Sequence, residues 1–168
     1  TDKLGGANLH DFHAFTPTAA NIRPTSRGEI TISSNDTKVN PKIKMNYLST
    51  DEDRKVAADG IKLIRKIVME TNEFKKYEPE EFRPGSHLND KEEIVKACSH
   101  YAQTIFHPVG TCKMGSDDSS VVSDKLKVHG INKLRVIDAS IMPNITSGNT
   151  NAPTIMIAEK GADMILSA

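Results

Sequence analysis

There is no tryptophan in this sequence of 168 residues, and aromatic residues make up only 5% of it. An aromatic cage around a cationic ligand therefore has little to draw on. A charge of one sign is missing too. Basic and acidic residues balance at 22 each, so no net field recruits nucleic acid or acidic lipid. No apolar run approaches the length of a membrane span, because the longest, Ile155 to Ala158, is cut by Glu159 and Lys160. The start shows no basic head, apolar run and small-residue cleavage site of a secretory signal. Cysteine is scarce: Cys98 and Cys112 could pair, but two in a chain of this size suggest reduced thiols. A cytoplasmic location is the expectation, and the sequons at Asn35 and Asn144 then mean little. No G-x-G-x-x-G is present, so the chain carries no dinucleotide fingerprint of its own. Repeats and low-complexity tracts are absent. The length fits one domain with a core that needs neither disulfide nor metal. The first residue is Thr1 rather than methionine, which suggests a piece of something longer.

What is present reads as a mixture of short strands and helices. "GANLHDFHAFTPTAANIRP" suggests an extended strand through the alternation around Phe12, Ala14 and Phe15. "SRGEITISS" reads as a hairpin arm, with Arg27-Gly28 as its turn and Ile30 and Ile32 on one face. In "PKIKMNYLS", Ile43, Met45 and Tyr47 face one way and the intervening polar residues the other. Thr50 or Asp51 then caps a long helix, whose apolar set is Val56, Ala57, Gly60, Ile61, Ile64, Ile67 and Val68. A connector rich in proline and glycine follows. Asn89 or Asp90 caps a second helix, with Ile94, Val95, Cys98 and Tyr101 or Ala102 inward. "KLKVHG" and "KLRVID" look like short strands joined through Gly130, Ile131 and Asn132. "IMPNITSGNTNAP" is a loop, and Pro153 opens a last helix in the first turn, where proline is tolerated. Ile155, Met156, Ile157 and Ala158 make the start of that helix apolar all round, which predicts burial on every side. The fold class is α+β, a mostly antiparallel sheet backed by helices.

Two stretches carry candidate chemistry. In "IFHPVGTCKMG", residues 105–115, one titratable ring sits in a stiff, glycine-bounded, mostly apolar segment. Gly110 and Gly115 imitate the start of a phosphate loop, but Ser116-Asp117 stands where lysine and serine or threonine are required, and an aspartate would repel phosphate. His107 and Cys112 are five apart, a poor spacing for a metal, and no second pair of soft ligands accompanies them. A thiol hydrolase would need Cys112 beside a histidine, with Asn151 as the orienting amide. The ordinary alternative for Cys112 is a small buried hydrophobe, and for His107 a satisfied core histidine. The proline and glycines around His107 favour a backbone held rigid beside a ligand. His10, His13, His87, His100 and His129 lie in polar or strand-like contexts and are given no role. The second stretch is "SGNTNAPTIMIAEKG", where two asparagines precede a proline-opened helix. A buried helix N-terminus gathers unpaired N–H groups and partial positive charge, and an electron-rich group usually sits on it. An ordinary N-cap by Asn151 is the plain alternative.

"FHPVGTCKMG", "VHGINKLRVIDASIMP" and "SGNTNAPTIMIAEK" together resemble the C-terminal region of the glucose–methanol–choline (GMC) flavoprotein oxidoreductases. "RPTSRGEITISS" and "PKIKMNYLSTDEDR" resemble strands of the same family's substrate domain. The resemblance runs over nearly the whole chain in family order, nearest to the choline dehydrogenase and aliphatic-alcohol dehydrogenase branch. It implies a substrate-binding part over about residues 9–130. It also implies a strand, loop and helix over about 131–168 that would complete the FAD domain of a longer chain, whose N-terminal, FAD-binding half is absent here.

The resemblance further implies the chemistry. His107 matches the histidine that takes the substrate hydroxyl proton while hydride passes to the flavin. Asn151 matches the second residue on the same oxygen. One base with a pKa near neutrality and one neutral amide suit an alkoxide-like transition state. Asp138 and Ala139 match strand-end positions that approach the cofactor. Asn151, Ala152, Pro153 and Thr154 form the helix start facing the flavin, and Phe106 lines the substrate. The implied cofactor is FAD, bound only with the missing half, and the implied substrate is choline or a simple primary alcohol. The implied electron acceptor is quinone-type, with the whole protein peripheral to the inner membrane as an extension of the cytoplasmic expectation. Two other functions stay open at this point: a lyase on the same scaffold, and a non-catalytic module that acts only with a partner chain.

Overall fold

The computed structural model describes residues 10–167, so the start of the expected first strand lies outside the described residues. The chain divides into two compact units. One holds the stretch ending at Asn21 together with Leu48–Gln103, and the other holds Ile22–Tyr47 and everything from Thr104 onward. Among the described residues there are four α-helices and one two-stranded antiparallel sheet, so the α+β class and the antiparallel pairing hold. No helix among them is long and apolar enough to cross a membrane.

The first unit is helical. Helix α1, Asp51–Glu70, begins where the side chain of Thr50 accepts a hydrogen bond from the Asp53 N–H, and three acidic residues in its first turn favour the helix dipole. Its inward stripe is Ala57, Ala58, Ile61, Ile64 and Val68, with Ala58 and Val68 buried. Val56 and Ile67, expected inward, are exposed, because they lie on a neighbouring stripe that nothing in this unit covers. A short helix α2, Asn72–Lys75, follows. Helix α3, Lys91–Tyr101, is capped by Asp90, whose carboxylate accepts from the Glu92 and Glu93 N–H groups. It buries Ile94, Val95, Ala97 and Cys98. Tyr101 and Ala102 are exposed instead, since they fall at the last residue and the C-cap of the helix. Ala58, Ile94, Val95 and Cys98 form one buried cluster with Leu48, Ala57, Ile61 and Leu88 against it. Burial raises the pKa of the Cys98 thiol, and both Cys98 and Cys112 are free. Phe12 and Phe15 are not in a strand. Phe12 stacks on His10 at 4.8 Å and meets the edge of Phe82 at 5.3 Å, while Phe15 stacks on Phe74 at 5.6 Å. Their alternation therefore serves ring contacts, with no neighbouring strand to pair the backbone.

The second unit holds the hairpin, β1 (Glu29–Thr31) and β2 (Lys42–Lys44), with Ile30 opposite Ile43. Its turn is not at Arg27-Gly28 but between the strands, where the Val39 N–H reaches the Asp36 carbonyl at 3.0 Å. Gly28 has another reason to be glycine: a Cβ there would stand 2.3 Å from the Lys44 carbonyl oxygen. The expected strands within 125–130 and 133–138 form only isolated bridges, Val128 with Val122 and Lys127 with Arg135. The core of this unit is Val122, Leu126, Ile141, Met142 and Ile157. Helix α4, Asn151–Leu166, joins it through Ile157 and through Gly161, where a Cβ would stand 2.6 Å from Ile137. The expected burial of its first turn does not hold. Ile155 is 54% and Met156 59% exposed, because the unit covers only the Ile157 side of an all-apolar start.

One side chain does much to shape the first unit. The Arg65 guanidinium donates to both Glu81 carboxylate oxygens at 2.9 Å, to the Leu88 carbonyl at 2.7 Å and to the Gly85 carbonyl at 2.9 Å. It therefore clips the proline- and glycine-rich connector to α1, and both partners are largely buried. Arg65→Ala leaves Glu81 without its counter-charge and two carbonyls without their donor. The expected loss is about 2–4 kcal/mol of unfolding free energy in urea melts, with no change of fold in the other unit.

Candidate active site

The histidine-bearing segment is tied down at its C-terminal end. The Cys112 N–H donates to the Ser140 carbonyl at 3.0 Å and the Met114 N–H to the Ile141 carbonyl at 2.8 Å. The Gly115 N–H donates to the Val122 carbonyl at 3.0 Å, beside the most buried residue of the unit. Gly110 turns the chain at φ +88°, and a Cβ there would come within 3.3 Å of the Met142 carbonyl oxygen. Only glycine meets both demands without strain. Phe106 also sits in the left-handed region, at φ +64°, which is uncommon for a bulky side chain. Its N–H donates to the Thr104 hydroxyl at 3.0 Å and the residue is 67% exposed.

His107 follows directly and is half-buried. Its Nδ1 lies 3.0 Å from the Thr150 hydroxyl oxygen. Thr150 is the buried N-cap of α4, so the ring stands beside the start of that helix and one residue from Asn151. Asn151 and Ala152 are exposed, while Pro153 and Thr154 are half-buried. Thr154 ties the first turn together, its N–H and hydroxyl both donating to the Thr150 carbonyl, at 3.0 and 2.6 Å. Asn151 is the first helical residue and not the N-cap.

Asp138 and Ala139 lie at a 3₁₀ turn, Ala139–Ile141, that packs against α4. The Asp138 carboxylate accepts the Ser140 N–H at 2.8 Å and so shapes the turn while remaining exposed. The Ser140 hydroxyl beside it is buried without a hydrogen-bond partner. Cys112 is half-buried, and the fold uses its backbone N–H. Among the described residues no cluster of three or more metal-ligating side chains occurs. A cavity of about 300 Å³ lies against α4, lined by Met114, Leu126, Met142, Pro153, Met156 and Met164 among others, and neither His107 nor Asn151 lines it. Sequence reading singled out His107 and Asn151 but gave no role to Thr150 or Ser140. For Thr150 a signal existed: a threonine three residues ahead of Pro153.

Three comparisons bear on this arrangement. A family profile described as GMC oxidoreductase matches residues 24–158. The chain is 44% identical over 160 residues to the oxygen-dependent choline dehydrogenase of Proteus mirabilis (strain HI4320), covering 95% of this chain and 29% of that protein. It superposes on pyridoxine 4-oxidase from Mesorbium loti with a TM-score of 0.81 at 33% identity, over 88% of this chain and 28% of that one. It also superposes on a variant of formate oxidase from Aspergillus oryzae RIB40, made to follow FAD modification, with a TM-score of 0.80 at 34% identity. That match covers 92% of this chain and 29% of the oxidase. The chain thus spans less than a third of the length of each of these proteins. With the profile covering most of its residues, including the His107 segment and the start of α4, the chain belongs to the GMC oxidoreductase family.

Proposed function

We propose that this chain supplies the catalytic base and the flavin-facing helix start of an FAD-dependent oxidoreductase that converts a primary alcohol, choline-like or aliphatic, into an aldehyde. The observation that carries the reading is the 3.0 Å contact of His107 with Thr150, which brings a titratable ring to the start of α4. His107 Nε2 takes the hydroxyl proton of the alcohol as general base. The Asn151 amide donates a hydrogen bond to the same oxygen and favours the negative charge that develops there. FAD, when bound, supplies the two-electron acceptor for the hydrogen that leaves the carbon.

The residues at hand suit one end of that cofactor. Thr150 makes no side-chain cap, so the Asn151 and Ala152 N–H groups are left for an electron-rich ring edge, with the helix dipole behind them. Asp138, Ala139, Pro153 and Thr154 border the same helix start or the turn packed on it. The unpartnered Ser140 hydroxyl is a further polar group available beside Ala139. The pyrophosphate end finds no glycine-rich loop in this chain. An N-terminal FAD-binding part is accordingly the proposed partner, in keeping with relatives more than three times as long. Phe106, exposed beside the base, offers an aromatic face to a quaternary ammonium. A quinone-type acceptor follows from the resemblance, whereas the relative from Proteus mirabilis is called oxygen-dependent. Assays with a quinone analogue and with oxygen decide between them.

Four outcomes are expected. In the flavin-loaded enzyme, His107→Ala lowers kcat by about two to four orders of magnitude, the range for a lost general base. Asn151→Ala costs less, about 1–3 kcal/mol of transition-state stabilisation, and both variants retain flavin. Unchanged dye-linked alcohol oxidation in His107→Ala defeats the assignment. Cys112→Ala keeps its activity, because proton and hydride removal need no thiol nucleophile; activity lost with folding and flavin intact would revive the thiol mechanism. The 168-residue chain purified by itself carries no yellow flavin absorption, since the adenine and pyrophosphate contacts are not in it.

A further inference from the structure

We infer that Thr150 is a positioning residue for His107, its hydroxyl released from helix capping to fix the ring tautomer that leaves Nε2 free as the base. The inference rests on the proposal that His107 is the base, and its local argument comes from the chain itself. A threonine at an N-cap ordinarily has an extended backbone and accepts a hydrogen bond from the amide of the second or third helical residue. Thr150 does neither. Its backbone is near-helical, at φ −91° and ψ −1°, and its side chain makes no cap bond. One of the two usual donors does not exist, because the third helical residue is Pro153 and has no N–H. The order Thr-Asn-Ala-Pro thus sets the hydroxyl free. Its carbonyl stays engaged by Thr154, so the residue is anchored while its Oγ1 reaches His107 Nδ1 at 3.0 Å. Thr150 is 8% exposed, which keeps water from competing for that bond.

The direction of the bond follows from the work asked of the ring. A base acting at Nε2 must carry its proton on Nδ1, which then donates to the threonine oxygen. After Nε2 takes the substrate proton both ring nitrogens are donors, and the same oxygen still accepts from Nδ1. The contact therefore survives the proton transfer, and no reorientation accompanies it. This is the logic of a base oriented by a third group, here a neutral one.

The test reads ring nitrogens and turnover in the flavin-loaded enzyme. In protein labelled with ¹⁵N-histidine, His107 of the parent enzyme is expected as the Nδ1–H tautomer. In Thr150→Val, which keeps the shape and loses the hydroxyl, the ring populates both tautomers and kcat falls by roughly threefold to thirtyfold, with KM little changed. Thr150→Ser restores both readouts. The Nε2–H tautomer in the parent enzyme would overturn the inference without any variant. So would a valine variant with unaltered tautomer and turnover, or a serine variant that fails as the valine one does. Should Thr150→Val not fold, Thr150→Ala is the second hydroxyl-free variant. His107→Ala with undiminished turnover would sink the assignment of the base, and the tautomer readout would still decide whether Thr150 orients the ring.

Discussion

Two backbone hydrogen bonds, from Cys112 to Ser140 and from Met114 to Ile141, join the segment that carries the histidine to the turn that packs on α4. Residues on either side of them inherit their positions. On one side the chain runs through Gly110, in a conformation glycine alone adopts without strain, to a half-buried His107. On the other it runs into the cluster of Val122, Leu126, Ile141, Met142 and Ile157, which fixes α4. Backbone bonds do not depend on which side chain the chain carries at Cys112, and this is why a thiol between two glycines can serve as packing. The ring is then held by its distal contact, Thr150, and its direction is set without a charged partner. Thr150 contributes a neutral oxygen to that contact.

Local signals in the sequence were sufficient where the chain provides both partners of an interaction. The caps read as Thr50 or Asp51 and as Asn89 or Asp90, because a small polar residue followed by acids favours a helix start, and of each pair Thr50 and Asp90 make the bonds. His107 and Asn151 were singled out by stiff neighbours and by family motifs, and the link of the ring to the residue before Asn151 is long-range, 43 positions apart. Nothing periodic encodes such a contact. It was concealed further because Thr150 read as one more polar loop residue, and only the missing N–H of Pro153 marks its hydroxyl as spare.

Where sequence reading went astray, the reason is cover. An apolar pattern shows that a face prefers to leave water, and it does not show what will lie on it. Ile30 and Ile43 pair as the alternation suggests, yet they are 50% and 61% exposed, and the strands hold three residues each. Val56 and Ile67 share the helical spacing of the buried stripe on α1 and still face outward. Phe12 and Phe15 alternate as a strand does, but with no neighbour to pair their backbone they settle into ring contacts. In each case the local geometry was legible and the partner surface was not. A hairpin as short as this one is marginal without a third strand or a covering helix, so its side chains say more about what packs on it than about its own stability.

The start of α4 unites these points. Its sequence is apolar on all sides, and the unit buries it on one, through Ile157 and the close approach of Gly161 to Ile137. The remaining sides, with Ile155 and Met156, stand open beside the exposed Asn151 and Ala152. An apolar surface surrounding uncapped amides suits a flat, largely apolar ring with an electron-rich edge better than it suits water. The apolar faces favour the body of such a ring, and the amides satisfy its polar rim. His107, the proposed base, stands at the same helix start, in contact with a residue whose hydroxyl makes no cap bond. Polar and apolar demands that conflict in the isolated chain would thus be met together by one ligand, and the Thr-Asn-Ala-Pro order reconciles them.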